Sequence, residues 1–132
     1  MNQLRKGGQL RYNKEREYLM LKKIECFLQP TKLDAIKDEL VKLGCGGMSV
    51  SEVKGFGTQR GYLEGEKINK KVKFLPKIKV EIVVDEEIVD DVIKKIRDLC
   101  FSKTIGAGKI FVLPVEDAVR IRTAEVGKRA IY

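Results

Sequence analysis

Two short segments of the chain join glycines to cationic side chains: Lys54-Gly55-Phe56-Gly57-Thr58-Gln59-Arg60-Gly61 and Gly106-Ala107-Gly108-Lys109. Glycine lacks a Cβ, so consecutive backbone N–H groups near it can turn toward one anion, and an adjacent ammonium or guanidinium supplies counter-charge. The chemistry this suits is phosphate binding. A flexible turn in the first segment and ordinary surface charge in the second are the plain alternatives. Neither segment is a complete nucleotide fingerprint. A dinucleotide motif needs a helix behind its glycines, and here a polar stretch follows Gly61. A Walker motif needs a four-residue spacer and a Ser or Thr after the lysine, where this chain has Ile110. Arg120 and Arg122, two apart on an extended segment, would present two more cations to one side.

Other chemistries find little material. The chain has no His, and Asp34, Asp38, Asp90 and Asp91 fall at helix-surface spacing, so no acid–base or nucleophile constellation forms and a non-enzymatic role is expected. Cys26, Cys45 and Cys100 are an odd, widely spaced set that indicates neither a disulfide framework nor a zinc site; they read as small buried hydrophobes. Lys54-Gly55-Phe56-Gly57 also matches the first half of a common RNA-recognition signature. Thr58 and Gln59 then follow where that module needs stacking aromatics. A nucleic-acid-binding module using the basic leader and the Lys-rich loop is the alternative function.

The charge distribution bears on that alternative. The chain carries 27 basic and 19 acidic residues, a net charge of +8 over 132 residues. Residues 1–23 hold an excess of five positive charges, so the body is only mildly basic. Residues 1–19 are read as a basic, poorly ordered N-terminal extension, and 20–132 as a single domain, since a chain of this size supports one core. Met20 is a second candidate start. No apolar run approaches the roughly 20 residues that cross a bilayer, and the leader lacks the apolar centre of a secretory signal. A cytoplasmic location is expected.

The elements that must hold these segments follow from periodicity. Leu19 to Leu28 reads as a strand closed by Pro30. Thr31 then stands as an N-cap before a helix carrying Leu33, Ile36, Leu40, Val41 and Leu43, which Gly44, Gly46 and Gly47 stop. Met48 to Val53 suggests a second strand entering the first glycine segment, and Thr58 to Lys73 is a long polar loop with Lys67, Lys70, Lys71 and Lys73, of a length that is usually functional. Phe74 to Val84 alternates strictly, with Ile78, Val80, Ile82 and Val84 on one face and Lys77, Lys79 and Glu81 on the other. Glu86 to Cys100 repeats the helical pattern, with acids at its start and Lys94, Lys95 and Arg97 near its end. Lys109 to Val115 is a strand, and Ala118 to Thr123 a short fifth strand or hairpin return. Strand, helix, strand, loop, strand, helix, strand is the doubled split βαβ plan of an α+β ferredoxin-like sandwich. Ile24, Ile78 and Ile110 are expected on the sheet face away from the helices, where an oligomer would bury them.

The motifs in this order, KKIECFLQPTKLDAIKDEL, GGMSVSEVKGFGTQRG, FLPKIKVEIVV and IGAGKIFVLPVEDAVRIRT, resemble the PII nitrogen-regulatory signal transducers almost continuously over residues 21 to 125. The resemblance implies a homotrimer with a long T-loop, ATP or ADP in the clefts between subunits, and 2-oxoglutarate beside ATP and Mg. By position, the nucleotide would meet Ser49, Gly57, Thr58, Gln59 and Val83 on one side and Gly106, Ala107, Gly108 and Lys109 on the other. Arg120 and Arg122 would reach the phosphates. Gln59 would hold Mg and, with Lys77 and Gly106, 2-oxoglutarate. The output would run through T-loop conformation to a target such as an ammonium transporter or a nitrogen-assimilation enzyme. No nucleic acid is expected, and the membrane is met only through a transporter. Thr58 stands where the family usually has Arg, and Ala107 where it has Asp. The loop is one residue shorter and has no Tyr at the usual uridylylation position; Tyr62 is the nearest candidate.

Overall fold

A computed structural model describes residues 20–57, 71–103 and 106–132. The main elements are β1 (Leu21–Leu28), α1 (Leu33–Lys42), β2 (Ser49–Gly55), β3 (Leu75–Asp85), α2 (Val89–Cys100), β4 (Gly108–Val115) and α3 (Lys128–Ile131). The four strands form one antiparallel sheet in the order β2-β3-β1-β4. That is the ferredoxin-like arrangement the element order predicts. The extension 1–19, Thr58, Gln59, Arg60, Gly61, Tyr62, Lys67 and Lys70 lie outside the described residues.

Each half closes its helix onto the same sheet face. In β3, Ile78, Val80, Ile82 and Val84 are buried, as their alternation requires, and Ile24, Cys26 and Leu28 of β1 are buried beside them. Ile36 and Leu40 of α1 and Val89, Val92, Ile96 and Cys100 of α2 cover this surface, with Ile110 packed at its margin. Burying each large aliphatic side chain contributes about 1.5–3 kcal/mol, so this single cluster dominates the fold.

The expected direction of Ile24, Ile78 and Ile110 is therefore reversed: they face the helices. β1 and β3 are the central strands, and two helices must be seated, so their branched residues are drawn to the covered side. The face away from the helices instead presents Lys23, Glu25 and Phe27 of β1, Lys79 and Glu81 of β3, and Phe111 and Leu113 of β4, which stand in register. Lys79 Nζ lies 2.7 Å from Glu81 Oε1 and 3.8 Å from Glu25 Oε1, while Lys23 Nζ lies 3.0 Å from Glu25 Oε1 and 3.4 Å from Glu81 Oε2. This closed cluster cancels its own charge.

Three local expectations also differ. Thr31 caps nothing: Pro30–Lys32 form a 3₁₀ turn that leads into α1, closed by Lys32 N–H donating to the Gln29 carbonyl at 3.0 Å. Pro30 has no donor to lose at the start of such a turn, which makes the tighter entry cheap. Val41 points to solvent, off the stripe defined by Ile36 and Leu40. The fifth strand is a hairpin return reduced to one bridge, Val119 to Val126, because its tip must turn through Ile121–Thr123. The three cysteines are buried and free, as read.

Candidate functional site

At the Leu28 end of β1, the sheet face without helices carries an open cleft of about 400 Å³. Phe27, Val53, Lys77, Lys109 and Phe111 line it from the strands, and Lys54, Gly55, Phe56, Gly57, Gly106 and Gly108 from the two glycine segments. The two segments sit on opposite edge strands, three strand spacings apart, or about 14 Å. Both emerge at the same end because Gly55 pairs with Leu75 at the start of β3, and Gly108 with Leu28 at the end of β1. The alternation of each strand sends Phe27, Val53, Lys77 and Phe111 into this face together.

The cleft has an apolar floor and a cationic rim. Phe27 and Phe111 meet edge to face with ring centroids 6.1 Å apart. Lys54, Lys77 and Lys109 line the walls, and no acidic side chain does among the described residues. Phe56 continues the wall outward and meets Phe74 edge to face at 5.4 Å. A ligand with an apolar or aromatic body and anionic groups matches this composition. Among the described residues, no group of three or more metal-ligating side chains converges.

Gly106 and Gly108 both take positive φ, +103° and +116°, a region glycine enters freely. At Gly108 space matters as well as dihedral freedom, since a Cβ there would collide with the Phe27 carbonyl oxygen. The Gly106 carbonyl accepts two hydrogen bonds, from Lys77 Nζ and Gln29 Nε2, each at 3.4 Å. Sequence reading missed Gln29, Phe27 and Phe111. The aromatics are legible as members of the uncovered strand face, but nothing local marks Gln29.

The other residues singled out lie elsewhere. Ala107 lines a smaller cavity of about 150 Å³ on the helix side, with Leu28, Ile96, Cys100, Phe101 and Ile110. Ser49 pairs with Glu81, and Val83 with Lys23, both down the sheet from the cleft. Arg120 and Arg122 follow Val115, which pairs with Leu21 at the far end of β1. The eight residues of β1 separate that end from the cleft by about 23 Å. Arg120 is held in a hairpin: its N–H donates to the Glu125 carbonyl at 2.9 Å, Gly127 N–H donates to the Ala118 carbonyl at 3.0 Å, and Arg120 Nη1 lies 3.4 Å from Glu125 Oε1. Arg120 Nη2 also donates to the Tyr132 carbonyl. Arg122 and a fully exposed Ile121 stand at the tip.

The basic leader and most of the Lys-rich loop, on which the nucleic-acid alternative draws, lie outside the described residues. The uncovered sheet face adds no support to it: outside the cleft, its described cations are paired within the cluster of Lys23, Glu25, Lys79 and Glu81, where the carboxylates would repel a polyanion.

The family model for nitrogen regulatory protein P-II matches residues 21–125. The chain is 46% identical over 115 residues to a nitrogen regulatory protein P-II of Azospirillum brasilense, and 48% identical over 112 residues to one of Nostoc punctiforme. Each match covers 84% of this chain and all of the relative. Among solved structures, PII of Arabidopsis thaliana bound to citrate superposes with a TM-score of 0.69 at 38% identity, covering 84% of this chain and 92% of that one. The GlnK–ATP complex of B. subtilis superposes with a TM-score of 0.71 at 29% identity, covering 84% and 95%. An antiparallel β2-β3-β1-β4 sheet with both glycine segments at one end, matched over these lengths, makes the chain a member of the nitrogen regulatory protein P-II family.

Proposed function

We propose that the protein is a metabolite sensor that binds ATP or ADP and 2-oxoglutarate and regulates a nitrogen-metabolism target through the loop between Gly57 and Lys71. The observation that carries this reading is the single cleft uniting Gly55, Gly57, Gly106, Gly108 and Lys109 with Lys54 and Lys77 and no acid. The solved relatives support it, since one is a complex with ATP and another holds citrate, a small polycarboxylate as 2-oxoglutarate is. Gly106, Gly108 and Lys109 would take the phosphates, and Lys77 a carboxylate of 2-oxoglutarate. Thr58 and Gln59 would add contacts, with Gln59 assisting Mg, whereas Ala107, Ser49 and Val83 line no part of this cleft in one chain and would be reached only by a nucleotide that extends beyond it. Binding that favours one loop conformation would shift the population recognised by the target, such as an ammonium transporter or a nitrogen-assimilation enzyme.

The assembly we propose is a homotrimer. Arg120 and Arg122 lie too far from the Lys109 end to serve the same phosphates within one chain, so a second copy would supply them. The uncovered face with Phe27, Phe111 and Leu113 is the surface that copies would bury. Calorimetric titration with ATP, with and without Mg and 2-oxoglutarate, alongside mass by light scattering, tests both parts. We expect ATP binding strengthened by 2-oxoglutarate and a trimer mass. Salt-sensitive RNA binding without any nucleotide heat would replace this reading with the nucleic-acid one.

A further inference from the structure

We propose that Phe74 is a positioning residue that holds Phe56 and Gly57 in place as one wall of the cleft, a role that rests on the sensor reading above.

That wall hangs on the weakest part of the sheet. β1 pairs with β3 only as far as Leu28 opposite Ile78, so beyond Ile78 the partner of β3 is β2 alone. A two-stranded ribbon is marginal by itself in water. Its last two pairs here are Lys54 with Pro76 and Gly55 with Leu75. Proline has no N–H to give to a ladder, and glycine brings no side chain to pack and a large loss of backbone freedom. The end of β2 therefore delivers Gly55, Phe56 and Gly57 to the cleft where backbone pairing is least able to hold them.

An aromatic pair takes over at that point. One step past Gly55 and Leu75, the register sets Phe56 opposite Phe74, and the two rings meet edge to face with centroids 5.4 Å apart and planes at 62°. The positive edge of one ring then lies toward the negative face of the other, an attraction that adds to whatever area is buried. Little area is: Phe56 is 50% exposed and Phe74 63%, so the contact between the rings is what orients Phe56. Gly57 has no packing of its own, with nothing among the described residues within 4 Å of where a Cβ would stand. Its backbone is free to turn unless the neighbouring Phe56 is held. Phe74 thus ties this wall to β3, the strand that also carries Lys77 into the cleft.

The test compares the full chain with Phe74→Leu, which removes the ring and keeps apolar bulk, with Phe74→Tyr, which keeps the ring, and with Phe56→Leu alone and combined with Phe74→Leu. Hydrogen exchange of residues 53–57 in ligand-free protein reports the wall, and calorimetric titration with ATP reports the cleft. We expect Phe74→Leu to speed that exchange and to weaken ATP binding, each by about two- to tenfold, the span of one aromatic pair, with an unchanged melting temperature because the ribbon end opens locally. Phe74→Tyr should stay within about twofold of the parent, and Phe74→Leu should speed exchange no further in the Phe56→Leu background, where the contact is already lost. Unchanged exchange in Phe74→Leu overturns the proposal, as does equal damage from Phe74→Tyr or full additivity in the double variant. Weaker ATP binding without faster exchange overturns it by marking a direct nucleotide contact, and faster exchange with parent-like ATP affinity overturns it by confining Phe74 to the loop stem. If the parent protein binds no ATP, the sensor reading falls on that result alone, and exchange in Phe74→Leu still decides whether Phe74 holds Phe56 and Gly57.

Discussion

Lys128 Nζ lies 2.9 Å from Asp85 Oδ2, tying the last helix of the chain to the end of the central strand β3. Asp85 is only 5% exposed and is the one charged residue among the buried ones described. Its second oxygen accepts the Glu87 N–H at 3.1 Å, capping the turn that starts the second helix. Burial acts to raise its pKa, but the Lys128 hydrogen bond, the Glu87 N–H and the Lys128 charge together hold the carboxyl below its usual value.

A native carboxyl that releases its proton more readily than the unfolded one contributes stability above the unfolded pKa of about 3.9, lost as pH falls through the native value. Acid unfolding should therefore steepen below about pH 4. Asp85→Ala removes the acceptor from both partners and should cost about 1–2 kcal/mol in chemical denaturation. Asp85→Asn keeps the cap and loses the charge, so its stability should be flatter with pH in that window. A parent-like acid profile in Asp85→Asn would show that another carboxylate carries it.

Gly108→Ala meets two obstacles, a φ of +116° and the Phe27 carbonyl oxygen in the path of the new Cβ. The obstructing atom is backbone of the central strand and cannot swing aside. Strain of roughly 1–3 kcal/mol should appear in the melting curve, together with weakened ATP binding because the segment before Lys109 must move. Gly57→Ala is the control, since nothing lies within 4 Å of a Cβ there. Equal stability of the two variants would contradict the close approach.

The thiols should be silent in the native state. Burial pushes Cys26 up to about 12, with Cys100 adding to the shift, and burial raises Cys45 and Cys100 as well. The thiolate is the nucleophile, so a disulfide reagent at pH 8 should label all three only as the protein unfolds. Because the native state keeps these protons while an unfolded thiol loses them near pH 8.5, stability should decline as pH rises above that value. Rapid stoichiometric labelling of any one cysteine under native conditions would place it outside the core.

Much of this fold was legible because its signals are periodic. The strict alternation of Ile78, Val80, Ile82 and Val84 and the helical spacing of Val89, Val92 and Ile96 specify burial directly, and both appear in the core. Thr31 failed as a cap because Pro30 favours a tighter turn than a capped helix start. The direction of Ile24 failed because a strand rich in apolar residues on both sides does not say which side the helices take. The glycine segments could be read as anion sites singly, but their meeting at one cleft depends on strand order, and Gln29 bonding Gly106 spans 77 positions. No local pattern encodes a contact of that range.

The distance between Lys109 and the Arg120 hairpin makes the shared site testable by mixing. Lys109 lies at the Phe27 level of β1, whereas the chain reaches Arg120 only after passing Leu21 at the opposite end. If one copy supplies Lys109 and the next supplies Arg120, Lys109→Ala and Arg120→Ala trimers should each bind ATP at least about tenfold more weakly, the loss of one charge-assisted contact. Unfolding and refolding the two variants together in equal amounts should then restore parent-like affinity in about a quarter of the clefts, because a random cyclic trimer joins two unaltered halves at that frequency. A cleft built within one chain gives no recovery, since every chain in the mixture carries a lesion. Calorimetry of the mixture separates the two outcomes through the number of tight sites, a quantity that general loss of stability in either variant cannot raise.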